Sequence, residues 1–368
     1  MTPGQRYRAI YEGKPVDHLP RQEFYIWEEA LSDWKEQGLP EDWSERNIFN
    51  FDPLGKIGSG WQMGWCEPPF APNYEQKVIE SQGDYEIIQD VAGRWLKVFT
   101  GRRHGFMPDY IRHPVSNMKD WVEDVAPRLD ADNPDRWTDL AHKCGEARGR
   151  AEAGGLMVTH QLIGGYMYLR ALMGPEDLLY AFHDQPELIR VMMERWFELM
   201  DAALARVQAV MEIDEVFMAE DICYNAGMLI SPAMFEEFLL PYYKQIVANA
   251  RGRQQRRIYY HVDTDGKCMP SIPLYLRAGM DMMSPFEVAS GCDVAEVGRQ
   301  YPELIMSGGI DKRVLAKGKD AIEAMLQRVM PAMVARGRYI PTCDHGVPND
   351  VSFEDYMYYR TRICELDH

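Results

Sequence analysis

Residues 257–266 read Arg257-Ile258-Tyr259-Tyr260-His261-Val262-Asp263-Thr264-Asp265-Gly266. An apolar, aromatic run over Arg257–Tyr260 predicts a short strand, and it ends on a polar cluster with turn residues. The same arrangement recurs along the chain. Runs at Glu215–Ala219, Met280–Ser284, Leu304–Ser307 and Tyr339–Pro341 end on Glu220-Asp221, Pro285-Phe286-Glu287, Gly308-Gly309-Ile310-Asp311 and Thr342-Cys343-Asp344-His345-Gly346. Stretches able to form helices separate them, as in repeated βα units. Several strands ending in Asp, Glu, His or Cys predict one shared site, the layout of a parallel barrel with its active site at the strand C-termini. The expected fold class is therefore α/β, a (β/α)8 TIM barrel, and the expected class of molecule is an enzyme.

Outward from these clusters the same pattern continues. Gly155–Gln161 predicts a strand, and Pro186 to about Met211 a helix with Leu188, Met192, Trp196, Leu199 and Ala203 on one side. Ser231-Pro232 is a helix start with a capping hydroxyl and proline at N1, and Pro241 is expected to kink or end that helix. Another helix is expected over Asp320–Ala335. Toward the N-terminus, Pro20–Trp27 predicts a first strand and Ala30–Gln37 a short helix. Gly58-Ser59-Gly60-Trp61-Gln62-Met63-Gly64 lacks the spacing of a phosphate loop and reads as a turn. Residues 84–115 alternate like a β-hairpin that leaves the barrel, with a turn near Gly93. One decorated domain over residues 1–368 is expected: an N-terminal extension and first barrel elements to about 150, then the main βα units.

The bulk numbers narrow the function. The formal net charge of −17 over 368 residues opposes binding to nucleic acid or to an anionic membrane. No window approaches 18 apolar residues, and the first residues lack the apolar core of a signal peptide. Seven scattered cysteines without a C-x-x-C pair indicate neither a disulfide framework nor a zinc ribbon. A reduced, cytoplasmic setting is expected; oligomeric state stays open, a homodimer being one option.

Alternation along a strand puts residues two apart on one face, so His261 is expected to point with Asp263, and Cys343 with His345. Imidazole, carboxylate and thiolate are zinc's preferred ligand types, and a catalytic zinc needs three plus an open position. Each residue also has a plain structural reading. Cys343 is equally a buried thiol, and Asp263-Thr264-Asp265-Gly266 is good turn chemistry. Of Glu220 and Asp221, adjacent and facing opposite ways, one is expected in the site and the other in a structural pair. Glu287 and Asp311 are equally substrate-binding residues or salt-bridge and capping residues. His160, ahead of Gly164-Gly165-Tyr166, is a pocket residue or, by a slight preference, a satisfied core histidine. Tyr166 is a candidate for the pocket wall.

Taken together, several segments resemble the uroporphyrinogen decarboxylase superfamily. They are Gly308-Gly309-Ile310-Asp311-Lys312 with Asp344-His345-Gly346-Val347-Pro348, Pro285-Phe286-Glu287 with Gly291-Cys292-Asp293, and Asp214–Asp221 with Ile230-Ser231-Pro232 and Phe235. The resemblance spans about residues 155–360 and implies a (β/α)8 barrel. The superfamily's decarboxylases carry an N-terminal arginine-rich signature that grips tetrapyrrole propionates. Here Pro20-Arg21-Gln22-Glu23-Phe24 lacks its second arginine and glycine. A further branch comprises zinc-dependent methyltransferases that work with a corrinoid protein. Their His-x-Cys pattern falls on His261 and Asp263, with aspartate in place of cysteine, and their last cysteine falls on His345, with Cys343 two residues earlier. The segment from Phe24-Tyr25-Ile26-Trp27 to Asn50-Phe51-Asp52 is similar to members associated with methyl transfer.

The resemblance thus implies transfer of a methyl group between a small methylated substrate, such as an aromatic or aliphatic methyl ether, and a corrinoid-binding partner protein or thiol. His261, Asp263, Cys343 and His345 would hold zinc. Glu220, Asp221 and His261 would be catalytic, and His160, Tyr166, Glu287 and Asp311 would bind substrate. The rival expectations are a metal-free carboxy-lyase and a non-catalytic corrinoid or tetrapyrrole carrier.

Overall fold

The computed structural model describes residues 1–101 and 108–368. Its centre is a seven-stranded, all-parallel sheet in chain order: β1 (Lys56–Met63), β2 (Met157–Ile163), β3 (Glu215–Ala219), β4 (Tyr259–Asp263), β5 (Met282–Ser284), β6 (Ile305–Ser307) and β7 (Tyr339–Ile340). Consecutive pairing of parallel strands through helical crossovers is the topology of a (β/α) barrel. Beside the seven strands lies an extended segment around residues 21–27. It bridges Ile26 to Val347 in the parallel sense on one side, and its Arg21 carbonyl accepts from the Asp52 N–H at 2.8 Å on the other. This segment contributes a single bridge instead of the strand expected over Pro20–Trp27.

The strands are short and apolar because both faces are covered. β4 illustrates this, with every residue but Tyr259 buried. The helix Pro186–Gln208 packs Leu188, Met192, Trp196, Leu199 and Ala203 against the sheet, and the Trp196 indole N–H donates to the Ile163 carbonyl at 2.9 Å. At the N-terminal end of the barrel, the helix Pro3–Glu12 is started by a capping box between Thr2 and Gln5. Its Arg8 reaches the Leu156 carbonyl at 3.0 Å and Asp214 at 3.1 Å, so this helix closes the floor.

Of three local expectations, two are corrected. Gly58–Met63 lies inside β1, not in a turn, and the register shifts between Gly58 and Gln62, where the two glycines tolerate an irregular strand. The helix begun at Pro232 breaks at Pro241 as expected: Pro232–Phe238 stops just before it and a new helix, Leu240–Gly252, begins with Pro241 in its first turn, where the missing N–H costs nothing. The hairpin Tyr85–Gln89 with Trp95–Phe99 forms as expected but is the middle of a four-stranded antiparallel sheet flanked by Lys77–Gln82 and Asp109–Arg112. Part of the 84–115 expectation, residues 102–107, lies outside the described residues. Among the described residues no helix is long and apolar enough to cross a membrane.

Candidate active site at the strand ends

Parallel register places equivalent residues side by side. Gln161, Phe217, His261 and Met282 form one rung, and Ile163, Ala219, Asp263 and Ser284 the next toward the C-terminal mouth. His261 and Asp263 therefore share a face, as expected, and Ser284 on the next strand joins them. His261 Nε2 is 2.8 Å from the Ser284 hydroxyl, which donates to Asp263 through a short hydrogen bond. Burial comes first among the causes that hold the Asp263 carboxyl above its ordinary value, and the bond to Ser284 works against it. Phe217 packs its ring edge-on to His261 at 4.9 Å, and Trp65 lies 5.4 Å from Phe217, giving the site an aromatic wall.

His261 is held from below. Its Nδ1 lies 3.8 Å from Glu215, a buried carboxylate that accepts from Lys56 Nζ at 2.9 Å, from Thr159 at 3.3 Å and from the Tyr11 hydroxyl. Burial alone would raise the Glu215 pKa, but Lys56 and His261 outweigh it and keep the carboxylate charged. A cavity of about 560 Å³ runs against β1 beside this group, lined by Lys56, Gln62, Thr159, Gln161 and Glu215 among others.

The second cluster lies in the loops beyond the strands. His345 Nε2 is 3.1 Å from Asp265 and its Nδ1 is 3.5 Å from Glu287. Among the described residues this trio is the group of metal-ligand types able to converge on one ion, with donor atoms within 4.8 Å of one another. Burial works against charge on His345, but the hydrogen bond to Asp265 and the nearby Glu287 raise its pKa above the ordinary value. Glu287 Oε2 also accepts from the Gly266 N–H at 2.8 Å, which ties the loop after β4 to the loop after β5.

Cys343 does not join His345. The strand β7 ends at Ile340 and Cys343 makes only an isolated bridge to Ile310, so alternation no longer governs direction. Its N–H donates to Glu23 at 2.7 Å, and its fully buried thiol faces Glu23, Tyr359 and Arg360 on the outer side, where burial pushes its pKa well up. The expected quartet is thus split among His261 with Asp263, His345 with Asp265, and Cys343 elsewhere.

The remaining candidates separate in the same way. Asp221 stands at the mouth in a left-handed backbone conformation (φ 33°), which a non-glycine residue holds only at an energetic cost. Burial and the nearby Asp265 raise its carboxyl to about 6, and Arg170 approaches to 3.7 Å. Glu220 points the other way into the wall. It accepts from the Tyr243 hydroxyl and from Tyr275 at 3.1 Å, and burial pushes it up to about 8. Its Oε2 lies where a side chain at position 164 would stand, since a Cβ on Gly164 would come within 1.8 Å of it. Tyr166 is buried beside it with an unpartnered hydroxyl. His160 is fully buried, bonded to Ser59 at 2.9 Å, and burial lowers it to about 4, so it is a neutral wall residue. Asp311 caps the short helix Lys312–Leu315 and pairs with Arg313 at 2.9 Å.

Glu215, Ser284, Phe217 and Trp65 were not singled out in the sequence. Alternation back from Ala219 would have put Phe217 and Glu215 on the site's face; attention to strand ends alone passed over them.

A parallel barrel that gathers imidazole and carboxylates at its strand ends has the layout of an enzyme active site. Residues 150–362 match the uroporphyrinogen decarboxylase (URO-D) family, and the chain belongs to that family. It is 24% identical over 354 residues to a uroporphyrinogen decarboxylase of Geobacter sulfurreducens, covering 94% of each chain. A uroporphyrinogen decarboxylase of Geobacter metallireducens is 27% identical over 133 residues, 36% of this chain and 37% of that one. Among solved structures, a methyltransferase from Methanosarcina mazei shares the fold, with a TM-score of 0.63 and 12% identity over 99% of both chains.

Proposed function

We propose that the protein is a metal-assisted methyltransferase that moves a methyl group between a small methylated substrate and a corrinoid held by a separate protein. The observation that carries this reading is the chemistry of the mouth, where Asp265, Glu287 and His345 converge beside Asp221 and Asp263. Two arginines of the described residues are already engaged. Arg170 faces Asp221, and Arg21 is bound at 2.6 Å to Asp367 behind the barrel. A tetrapyrrole bearing many carboxylates would meet like charge there, which disfavours it.

The donor set suits a divalent ion such as zinc. It offers one imidazole nitrogen and two carboxylate oxygens, and His345 Nδ1 is buried without a hydrogen-bond partner. A metal held there would act as a Lewis acid on the substrate's leaving oxygen, or would hold and activate an acceptor thiol. Asp221, raised to about 6, retains a proton near neutrality in part of the molecules and is placed to give it to a departing alkoxide. Trp65 and Phe217 supply an apolar wall for an aromatic or aliphatic methyl ether.

The test is zinc content and affinity, together with methyl transfer to cob(I)alamin from a panel of methyl ethers and methylthiols. His345→Ala should weaken zinc binding by more than the roughly 10–100-fold that loss of an outer-shell partner costs, and should abolish transfer. Zinc-free protein that transfers methyl groups undiminished after chelation would overturn the metal assignment. The full-length likeness to a decarboxylase favours one second reading, a carboxy-lyase on a less charged acid. Release of carbon dioxide from such an acid, with no methyl transfer across the panel, would select it.

A further inference from the structure

Two thiols meet directly beneath the mouth. Cys268 and Cys292 place their sulfurs 3.8 Å apart, and each is essentially inaccessible, 0% and 1% exposed. Cys268 lies in the loop after β4, just before the turn Met269–Ser271, and Cys292 lies between the turn Val288–Ser290 and the helix Val294–Gln300 that follow β5. These are the loops that carry Asp265 and Glu287. They are stitched together around the thiols: Gly266 N–H donates to Glu287 at 2.8 Å, and Cys292 Sγ donates to the Gly266 carbonyl at 3.5 Å. The Cys292 N–H also donates to the Glu287 carbonyl at 3.2 Å.

The geometry points to Cys268 and Cys292 as a reversible redox pair whose disulfide staples the β4 and β5 loops and so acts on the Asp265–Glu287–His345 cluster. A disulfide needs sulfurs about 2.05 Å apart, so the observed contact has to close by roughly 1.8 Å, within reach of side-chain rotation and small loop movement. The two thiols are also unequal. Cys292 Sγ contacts the Gly266 carbonyl as well as Cys268 Sγ, and in this pair it is the sulfur that meets the oxidant.

With a peroxide as oxidant, the Cys292 sulfur attacks one peroxide oxygen. A sulfur–oxygen bond forms, the oxygen–oxygen bond breaks, and hydroxide leaves and takes up a proton as water. The Cys268 sulfur then attacks the sulfenic sulfur, the sulfur–sulfur bond forms, and the sulfenic oxygen departs as a second water carrying the Cys268 proton. Two electrons pass from the thiol pair to the peroxide, and a dithiol reductant returns them. Closure removes the Cys292 hydrogen bond to Gly266, the residue whose N–H orients Glu287. Unlike the methyl-transfer reading, this inference needs neither a metal nor a substrate.

The experiment treats the intact protein with hydrogen peroxide, alkylates the remaining thiols under denaturing conditions and maps the tryptic peptides. Cleavage after Lys267, Arg277 and Arg299 separates residues 268–277 from 278–299. The expected result is a cross-link between these peptides, a fall in titratable thiols from seven to five, and full reversal by dithiothreitol. Amide exchange in residues 264–271 and 286–293 should slow on oxidation and recover on reduction. In Cys268→Ser, Cys292 should be trapped by dimedone as sulfenic acid; should that variant not fold, the wild-type map decides. Seven thiols remaining, a cross-link through another cysteine, or sulfinic acid at Cys292 without a cross-link would each overturn the pair. Unchanged exchange in a cross-linked protein would overturn the staple.

Discussion

Glu215 opens β3 and Glu220 directly follows its last residue, so two carboxylates stand at the two ends of one short strand. Both are buried, at 2% and 0% exposure, yet they sit in opposite charge states. Glu215 has a cation, Lys56 at 2.9 Å, with two hydroxyl donors, and stays ionised. Glu220 has only the hydroxyls of Tyr243 and Tyr275, with the amides of Tyr166 and Met167 favouring charge weakly, and rises to about 8. Burial is common to both, so burial does not set the charge. The difference is Lys56, with His261 beside it, which offset desolvation at one end and have no counterpart at the other. The consequence for function is a division of labour. The ionised end sits beneath His261 and fixes its environment, while the protonated end is part of the wall.

The hardest way to break this contrast is to remove the cation. Lys56→Met leaves Glu215 buried without its charge partner and is expected to destabilise the protein by about 3–5 kcal/mol. Urea unfolding at pH 7 measures it. Replacing both residues, as Lys56→Met with Glu215→Leu, should recover much of the loss, because the unpaired charge is then gone. A single variant within 1 kcal/mol of wild type would show that Lys56 does not hold the charge.

The protonated end predicts a dependence on pH of definite sign. Between the ordinary glutamate value and about 8, folded Glu220 keeps a proton that the unfolded chain has released. Its contribution to stability is therefore fully present at low pH and declines as pH rises through that window, by about 1.4 kcal/mol per unit at most. Glu220→Gln mimics the protonated form and has nothing to lose. Relative to wild type it should gain about 2–3 kcal/mol between pH 5 and pH 7 on that slope, read from chemical denaturation at each pH. A constant difference across this range would mean that Glu220 is ionised in the fold.

These contrasts also mark how far the sequence could be read. β3 was legible to the residue, and β2, β4, β5, β6 and β7 to within a few positions, because apolar runs ending in turn chemistry are local signals. His261 with Asp263 followed from alternation inside a continuous strand. His345 with Asp265 did not, because both lie in loops whose directions are set by tertiary hydrogen bonds such as Gly266 to Glu287. Cys343 shows the same limit from the other side, since periodicity ends where β7 ends. Glu215 was invisible for another reason. Its partners Lys56 and Tyr11 lie 159 and 204 residues away, and no local pattern announces a pair formed across the barrel floor. β1 was misjudged because two glycines in a strand resemble a turn until the neighbouring strand is known.

The finest test of the comparison acts on the neutral donors alone. Tyr275→Phe removes one hydroxyl from Glu220 but leaves its ring and the stacking on Tyr243, whose centroid lies 6.2 Å away. A hydrogen bond of this kind contributes about 1 kcal/mol net, so the loss in stability should be of that size. Its pH signature is the more telling part. Losing a donor that favours the charged form should move the Glu220 transition further up, widening the window over which stability falls. If the transition moved down instead, the hydroxyl would be serving the protonated acid, and the two ends of β3 would differ in hydrogen bonding as well as in their supply of positive charge.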